Sequence, residues 1–212
     1  MFGDPMTPYS HIAVVDDCQS KRDSFIKKLQ SLPKRMPDDS GQNGNVLQVF
    51  GPRHLAAALD KIHLDGINVT NMSAKDSAVP LAENAILSSQ ALYPKFGIRD
   101  VLAYAITTAG KKIVYIGNCG RFKPYKLIPI ALNAQTLICE VPTRISDREA
   151  GKLSGALSPA QAGNIAQRAG VKTLVLTHLP GTDTQTQVMG NCLSSGFRGN
   201  IIVPNPNTRY SL

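Results

Sequence analysis

Apolar residues along this chain switch between two periods, and the switches mark out alternating strands and helices. Residues 11–17 carry the apolar run IAVV closed by Asp16 and Asp17, which reads as a buried strand. Residues 20–32 place Phe25, Ile26 and Leu29 at helical spacing, and Pro33 with the polar stretch 36–45 makes a loop. A second strand, 46–50, ends at Gly51-Pro52. The segment HLAAALDKI, 54–62, predicts a helix with Leu55, Leu59 and Ile62 on one face. INVTNM then alternates as a half-exposed strand.

Past residue 100 the two periods separate more clearly. Residues 101–106 and 111–116 flank TTAGK with Gly110 at the turn, which predicts a β-hairpin. Residues 122–132 read as a loop and short helix, and 135–139 as a strand. Residues 158–169 predict a helix with Ser158 as N-cap, Pro159 at the first helical position and Gln161 completing a capping box. Ala162, Ile165, Ala166 and Ala169 form its apolar face, and Gly170 stops it. A buried strand, 173–176, follows and delivers His178 at its carboxyl end, where α/β proteins place chemistry. Residues 201–203 and the last residues close the chain with strands. The order predicts a layered α/β domain with a mixed sheet.

A chain of 212 residues suits one such domain. Its composition, 42% hydrophobic and 18% charged, is that of a globular protein, with no apolar run long enough to cross a bilayer. The first residues hold Asp4 and no basic segment, so they do not read as a secretory signal, and a cytoplasmic location is expected. Cys18, Cys119, Cys139 and Cys192 form no C-x-x-C pair and are expected to be reduced, mostly buried thiols. The formal net charge of +8 admits nucleic acid as a partner. The basic residues are nevertheless dispersed along the sequence, without interleaved aromatics, which equally describes a solvated surface.

Four strings, in order, resemble the metallo-β-lactamase superfamily, and most of all its RNase Z and phosphodiesterase branch. NVLQVFGPRHLAAALD resembles that branch's strand, Gly-Pro turn and helix after the first metal motif. KKIVYIGNCG resembles its hairpin ending in Gly-Asp, and AQTLICEVP its buried strand ending in a His-Glu-Ala-type sequence. GALSPAQAGNIAQRAGVKTLVLTHLP resembles its helix-strand-His block and is the most specific of the four. The resemblance implies an αββα sandwich of two mixed sheets flanked by helices, with residues 1–212 as a single domain. Only about ten residues precede the first metal motif, so the N-terminal sheet is expected to be reduced. It also implies an edge where one or two Zn²⁺ generate a hydroxide and clamp a phosphodiester.

The positions that should hold those metals are mostly changed. The T-H-x-H-x-D-H motif falls on SHIAVVD, where His11 matches the first histidine; Ala13, Val15 and Asp16 replace the second histidine, the general base and the last histidine. LSSQALY, where the middle motif should lie, has no histidine. Asn118 stands for the bridging aspartate, and an amide lacks the charge that offsets two dications. Cys139 stands where the branch often has a histidine before Glu140, Ala156 stands where RNase Z-like members often place a histidine, and His178 is kept.

The expectation is a catalytically degenerate metallo-β-lactamase-fold protein without a cofactor, acting as a binding or assembly subunit for RNA or a nucleotide. Its ligand surface is the old active-site edge, around His11, Asp16, Asn118, Glu140 and His178. A protein partner or a second copy is expected to cover the reduced N-terminal sheet, and no membrane is involved. The alternative is a phosphodiesterase or ribonuclease-type hydrolase in which His11, Asp16 and His178 hold one zinc with an open position. Two readings of His178 stay open: a residual metal ligand, or a strand-end histidine hydrogen-bonded to its surroundings. Glu140 likewise either faces the site or pairs with Arg121 and Lys123.

Overall fold

The computed structural model describes residues 12–14, 47–52, 67–72, 77–82, 85–92, 101–117, 124–142, 157–179, 184–205, 208 and 210. The chain divides into two compact units, Met1–Ser73 and Ala74–Leu212. The helices expected over 20–32 and 54–62 lie outside the described residues.

In the first unit β1 (Ile12–Val14), β2 (Leu47–Pro52) and β3 (Ile67–Met72) form a parallel sheet in sequential order. Phe50 and Met72 are buried, as parallel strands require.

The second unit is built on a seven-stranded mixed sheet. Its strands are β4 (Ser77–Ala82), β5 (Ala85–Leu92), β6 (Val101–Thr108), β7 (Lys111–Ile116), β8 (Thr136–Glu140), β9 (Thr173–Thr177) and β10 (Asn200–Ile202). They lie side by side in chain order. From β4 to β7 the pairs are antiparallel, and from β7 to β10 they are parallel. Each parallel pair needs a crossover, and helices supply them. The 3₁₀ turn Pro124–Leu127 and α1 (Ile128–Ala131) lead from β7 to β8. Between β8 and β9 runs α2 (Pro159–Arg168), and α3 (Gln185–Ser194) joins β9 to β10.

The expected hairpin, the strands after it and the capped helix are all present, with ends that shift by one or two residues. The β6–β7 turn places Ala109 and Gly110 at positive φ (46° and 74°), which Gly110 tolerates without a Cβ. Ser158 accepts from the Gln161 N–H while the Gln161 side chain accepts from Ser158 N, the reciprocal capping box. Three elements were not anticipated. β5 runs through the stretch where a histidine motif was sought, and β4 and α3 lie in stretches for which no element was expected. Among the described residues no strand follows β10, which corrects the expectation that the last residues are strands.

One face of the sheet carries Ala103, Ala105, Val114, Ile116, Leu137, Cys139, Leu174 and Leu176 at period two, all buried. The helices cover this face with Ile130, Ala131, Ala162, Ile165, Ala166, Val188 and Cys192. α2 and α3 approach closely because Gly163 has no side chain. A Cβ there would lie 2.4 Å from Ser195 Oγ and 2.9 Å from the Cys192 carbonyl oxygen. Cys192 donates its S–H to the Pro159 carbonyl at 3.0 Å, tying α3 to the first turn of α2.

Three predictions come from this packed core. Gly163→Ala gains helix propensity but forces backbone apart, so a net loss of about 1–3 kcal/mol is expected in urea denaturation. Burial pushes the Cys192 thiol from 9.0 up to about 12. The folded state therefore holds this proton at pH values where the unfolded chain releases it. The stabilisation is complete below pH 9.0 and is lost as pH rises toward about 12. Cys139 and Cys192, both buried free thiols, should resist alkylation at pH 8 until denaturant is added, as mass spectrometry of the two peptides would show.

Candidate functional site

Parallel strands all end on one side, and the carboxyl ends of β7, β8 and β9 bring three polar side chains together. The register fixes which. Tyr115 lies opposite Ile138, and Ile116 opposite Cys139 and then Leu176. Cys139 points into the helix-covered core, so Glu140, one residue on, points to the other face. Tyr115 is two residues from Ile113 and one from buried Ile116, and so shares the Glu140 face. Glu140 pairs with Thr177 across β8–β9, and His178 follows directly.

Glu140 is only 2% exposed, and a buried carboxylate needs hydrogen-bond partners. The Tyr115 hydroxyl donates to Glu140 Oε1 at 2.6 Å, a short charge-assisted bond. His178 Nδ1 lies 3.4 Å from the same oxygen, a distance for electrostatic attraction rather than a strong hydrogen bond. The His178 side chain is 52% exposed, so the ring joins a buried carboxylate to solvent. Two further bonds hold the strand ends in place. The Val141 N–H donates to the Thr177 carbonyl at 2.9 Å, and Thr177 Oγ1 donates to the Cys139 carbonyl at 3.3 Å.

His178 takes a left-handed backbone conformation, with φ of 57°. For a non-glycine residue this costs about 1–2 kcal/mol. The chain turns sharply out of β9 there, and the turn sets the imidazole over Glu140.

Of the residues expected at this edge, Glu140 and His178 are together. His11, Asp16 and Asn118 lie outside the described residues, as do Arg121 and Lys123, the alternative partners of Glu140. Tyr115 was not anticipated. Its signal was available in the alternation of KKIVYIG, which puts Tyr115 and Gly117 on one face just before Asn118. Its partner, however, depends on strand register.

A catalytic zinc takes three protein ligands. Among the described residues no group of three or more His, Cys, Asp or Glu side chains comes together. Glu140 and His178 offer two donors, and Oε1 of Glu140 already accepts from Tyr115. The described residues alone therefore do not fit a zinc ion.

The seven-stranded mixed sheet and its helix-covered face match the metallo-β-lactamase fold of solved structures. Three such structures are similar to this chain. One is the metallo-β-lactamase fold protein YhfI from Bacillus subtilis, at 18% identity and a TM-score of 0.67, covering 91% of this chain and 73% of that one. Another is human tRNase Z, short form, at 15% identity and a TM-score of 0.54, covering 76% of this chain and 64% of that one. A third is Zn²⁺-bound PqqB from Methylobacterium extorquens, at 11% identity and a TM-score of 0.55, covering 94% of this chain and 83% of that one. The chain matches no protein-family model and no curated protein sequence. No helix among the described residues is long and apolar enough to cross a membrane.

The site makes a stability prediction that separates its two strains. Tyr115→Phe removes a donor from a buried carboxylate and should cost about 1–3 kcal/mol. His178→Gly should be more stable than His178→Ala by about 1 kcal/mol, because glycine accepts the left-handed backbone. Urea denaturation of the three variants measures both.

Proposed function

We propose that residues 1–212 act as one catalytically degenerate metallo-β-lactamase-like domain, a binding or assembly subunit whose ligand is RNA or a nucleotide. The strand-end edge, with His11, Asp16, Asn118, Glu140 and His178, is its ligand surface, and Tyr115 joins that set. The observation that carries this reading is the engagement of Glu140 by its own neighbours. Its Oε1 serves Tyr115 and His178, so the carboxylate works to orient a half-exposed imidazole. An imidazole held this way can donate to a phosphate or a base edge. Asn118 in place of the bridging aspartate supports the same reading, since an amide cannot offset two dications.

The chemistry requires no bond to break. Tyr115 donates to Glu140, Glu140 attracts the Nδ1 side of His178, and the rest of the ring meets the ligand. A protein partner or second copy covers the three-stranded sheet. Among the described residues β1 and β3 each pair on one side only, and open strand edges invite pairing.

A second reading has its own observation. A metal-ligating histidine commonly turns its other ring nitrogen to a carboxylate, as His178 does to Glu140. In that reading His178 joins His11 and Asp16 on one zinc in a phosphodiester hydrolase.

Elemental analysis of the chain purified from zinc-supplemented culture separates the two. Zinc well below one equivalent per chain is expected, and one or two equivalents overturns the degenerate reading. His178→Ala should weaken binding of a labelled adenosine monophosphate roughly tenfold or more, the loss of a hydrogen bond to a charged group. Unchanged binding would remove the strand-end edge as the ligand surface.

A further inference from the structure

The positive charge of this protein is not spread evenly. Residues 1–73 hold eight Lys and Arg against eight Asp and Glu, whereas residues 74–212 hold fifteen against seven. The whole net charge of +8 therefore belongs to the second unit. Among the described residues of that unit Glu140 is the one acidic side chain, and it is buried at the strand-end edge.

Folding then collects cations that the sequence scatters. Lys111 and Lys112 open β7, Lys172 directly precedes β9, and Arg198 lies two residues before β10. Arg168 ends α2, whose C-cap leads straight back to the sheet. Backbone bonds show that these positions share the strand-start edge. Gln135 N–H donates to the Lys112 carbonyl, Lys172 N–H to the Ala134 carbonyl, Asn200 N–H to the Lys172 carbonyl and Asn133 N–H to the Ala169 carbonyl. Lys111, Arg168, Lys172 and Arg198 are exposed, and Lys112 is half-buried.

We propose that this row along the starts of β7, β9 and β10 is a docking surface for the phosphate backbone of a nucleic acid. The spacing decides the class of partner. Four neighbouring strands, β7 to β10, span about 14 Å at roughly 4.8 Å each. A nucleic-acid strand held at helical spacing carries about four phosphates over that length, at one per ~3.4 Å. Five cations line the same distance. No described aromatic residue other than buried Phe197 lies in this row, so the contacts are to phosphate and not to stacked bases. Binding is therefore indifferent to sequence. The row lies at the opposite end of the strands from His178. The proposal rests on the nucleic-acid reading of the ligand but not on use of the Tyr115–Glu140–His178 edge.

Two of the five cations also serve the fold. Lys112 Nζ donates to the Leu132 carbonyl, and Arg198 Nη1 to the carbonyls of Leu193 and Phe197. The test therefore uses the other three. Fluorescence anisotropy with a labelled mixed-sequence single-stranded RNA 20-mer and the full chain gives affinity against salt. The combined variant Lys111→Ala, Arg168→Ala, Lys172→Ala should bind roughly tenfold to a hundredfold more weakly at low salt. Its log–log salt slope should fall by about 2, at ~0.7 per phosphate lost. Circular dichroism confirms that the variant is folded. Lys27→Ala, Lys28→Ala, Lys61→Ala removes equal charge from residues 1–73 and should leave the slope unchanged.

An unchanged slope in the first variant, or an equal fall in the second, overturns the proposal. So does binding of polyglutamate through the three residues with no binding of RNA, which assigns the row to an acidic protein. If His178→Ala loses nucleotide binding while the row variant keeps RNA binding, the row alone is wrong. If neither probe binds the wild-type chain, both readings fall.

Discussion

Everything at the candidate site depends on the parallel register of β7, β8 and β9. Cys139 and Glu140 are neighbours in sequence and must point to opposite faces of the sheet. Cys139 is packed beneath the helices with Leu137, Leu174 and Leu176. A slip of one residue would drive Glu140 into that apolar layer and throw Cys139 out of it. Burial of an unpaired carboxylate costs far more than any alternative pairing could return. The core thus selects the register, and the register selects the site. Gly163 contributes to the same selection from the other side. By letting α3 close on α2, it completes the cover over the face on which Cys139 is buried.

The site itself is assembled from strain and compensation. His178 accepts a left-handed backbone, and Glu140 accepts burial. Each is supported by a neighbour whose own position is secure. The Thr177 hydroxyl and carbonyl bind the β8 strand end, so the turn that strains His178 cannot relax by pulling β9 away. Tyr115 supplies the donor that a buried carboxylate needs. Local strain of this kind persists where the surrounding structure over-determines it.

Local signals in the sequence carried the second half of the fold well. The capping box at Ser158, the stop at Gly170 and the apolar run at Thr173 are decided by residues within a few positions of one another, and each lies where expected. α3 had a local signal too, since Thr184 and Gln187 form a second capping box. It passed unread because Gly190 and the polar residues around it blur the apolar stripe: Val188 and Cys192 are the only buried pair. β4 and β5 had no such signal. SAVPLA and AILSSQAL become strands by pairing with each other and with β6, and Pro80 and Ala82 flank an irregularity at the outer strand. Tyr115 illustrates the limit most clearly. Its residue type was plain, but its bond to Glu140 spans twenty-five positions and exists only once the register is set.

The same register explains how a sequence with dispersed charge can still make a directed electrostatic surface. Cations at the starts of strands and at the end of α2 are far apart along the chain. A parallel sheet returns each strand start to the same edge, so they become neighbours. The crossover helices run the other way, which brings Arg168 to that edge as well. At the opposite end the described strands deliver Tyr115, Glu140 and His178. One sheet therefore sorts its described polar side chains by direction, with Lys111, Lys112, Lys172 and Arg198 where strands begin and Tyr115, Glu140 and His178 where they end. Long-range attraction acts on the whole approaching polyanion and weakens with salt, whereas a contact to His178 acts only on the group that reaches it. A nucleic-acid ligand held at both edges would feel the first before the second.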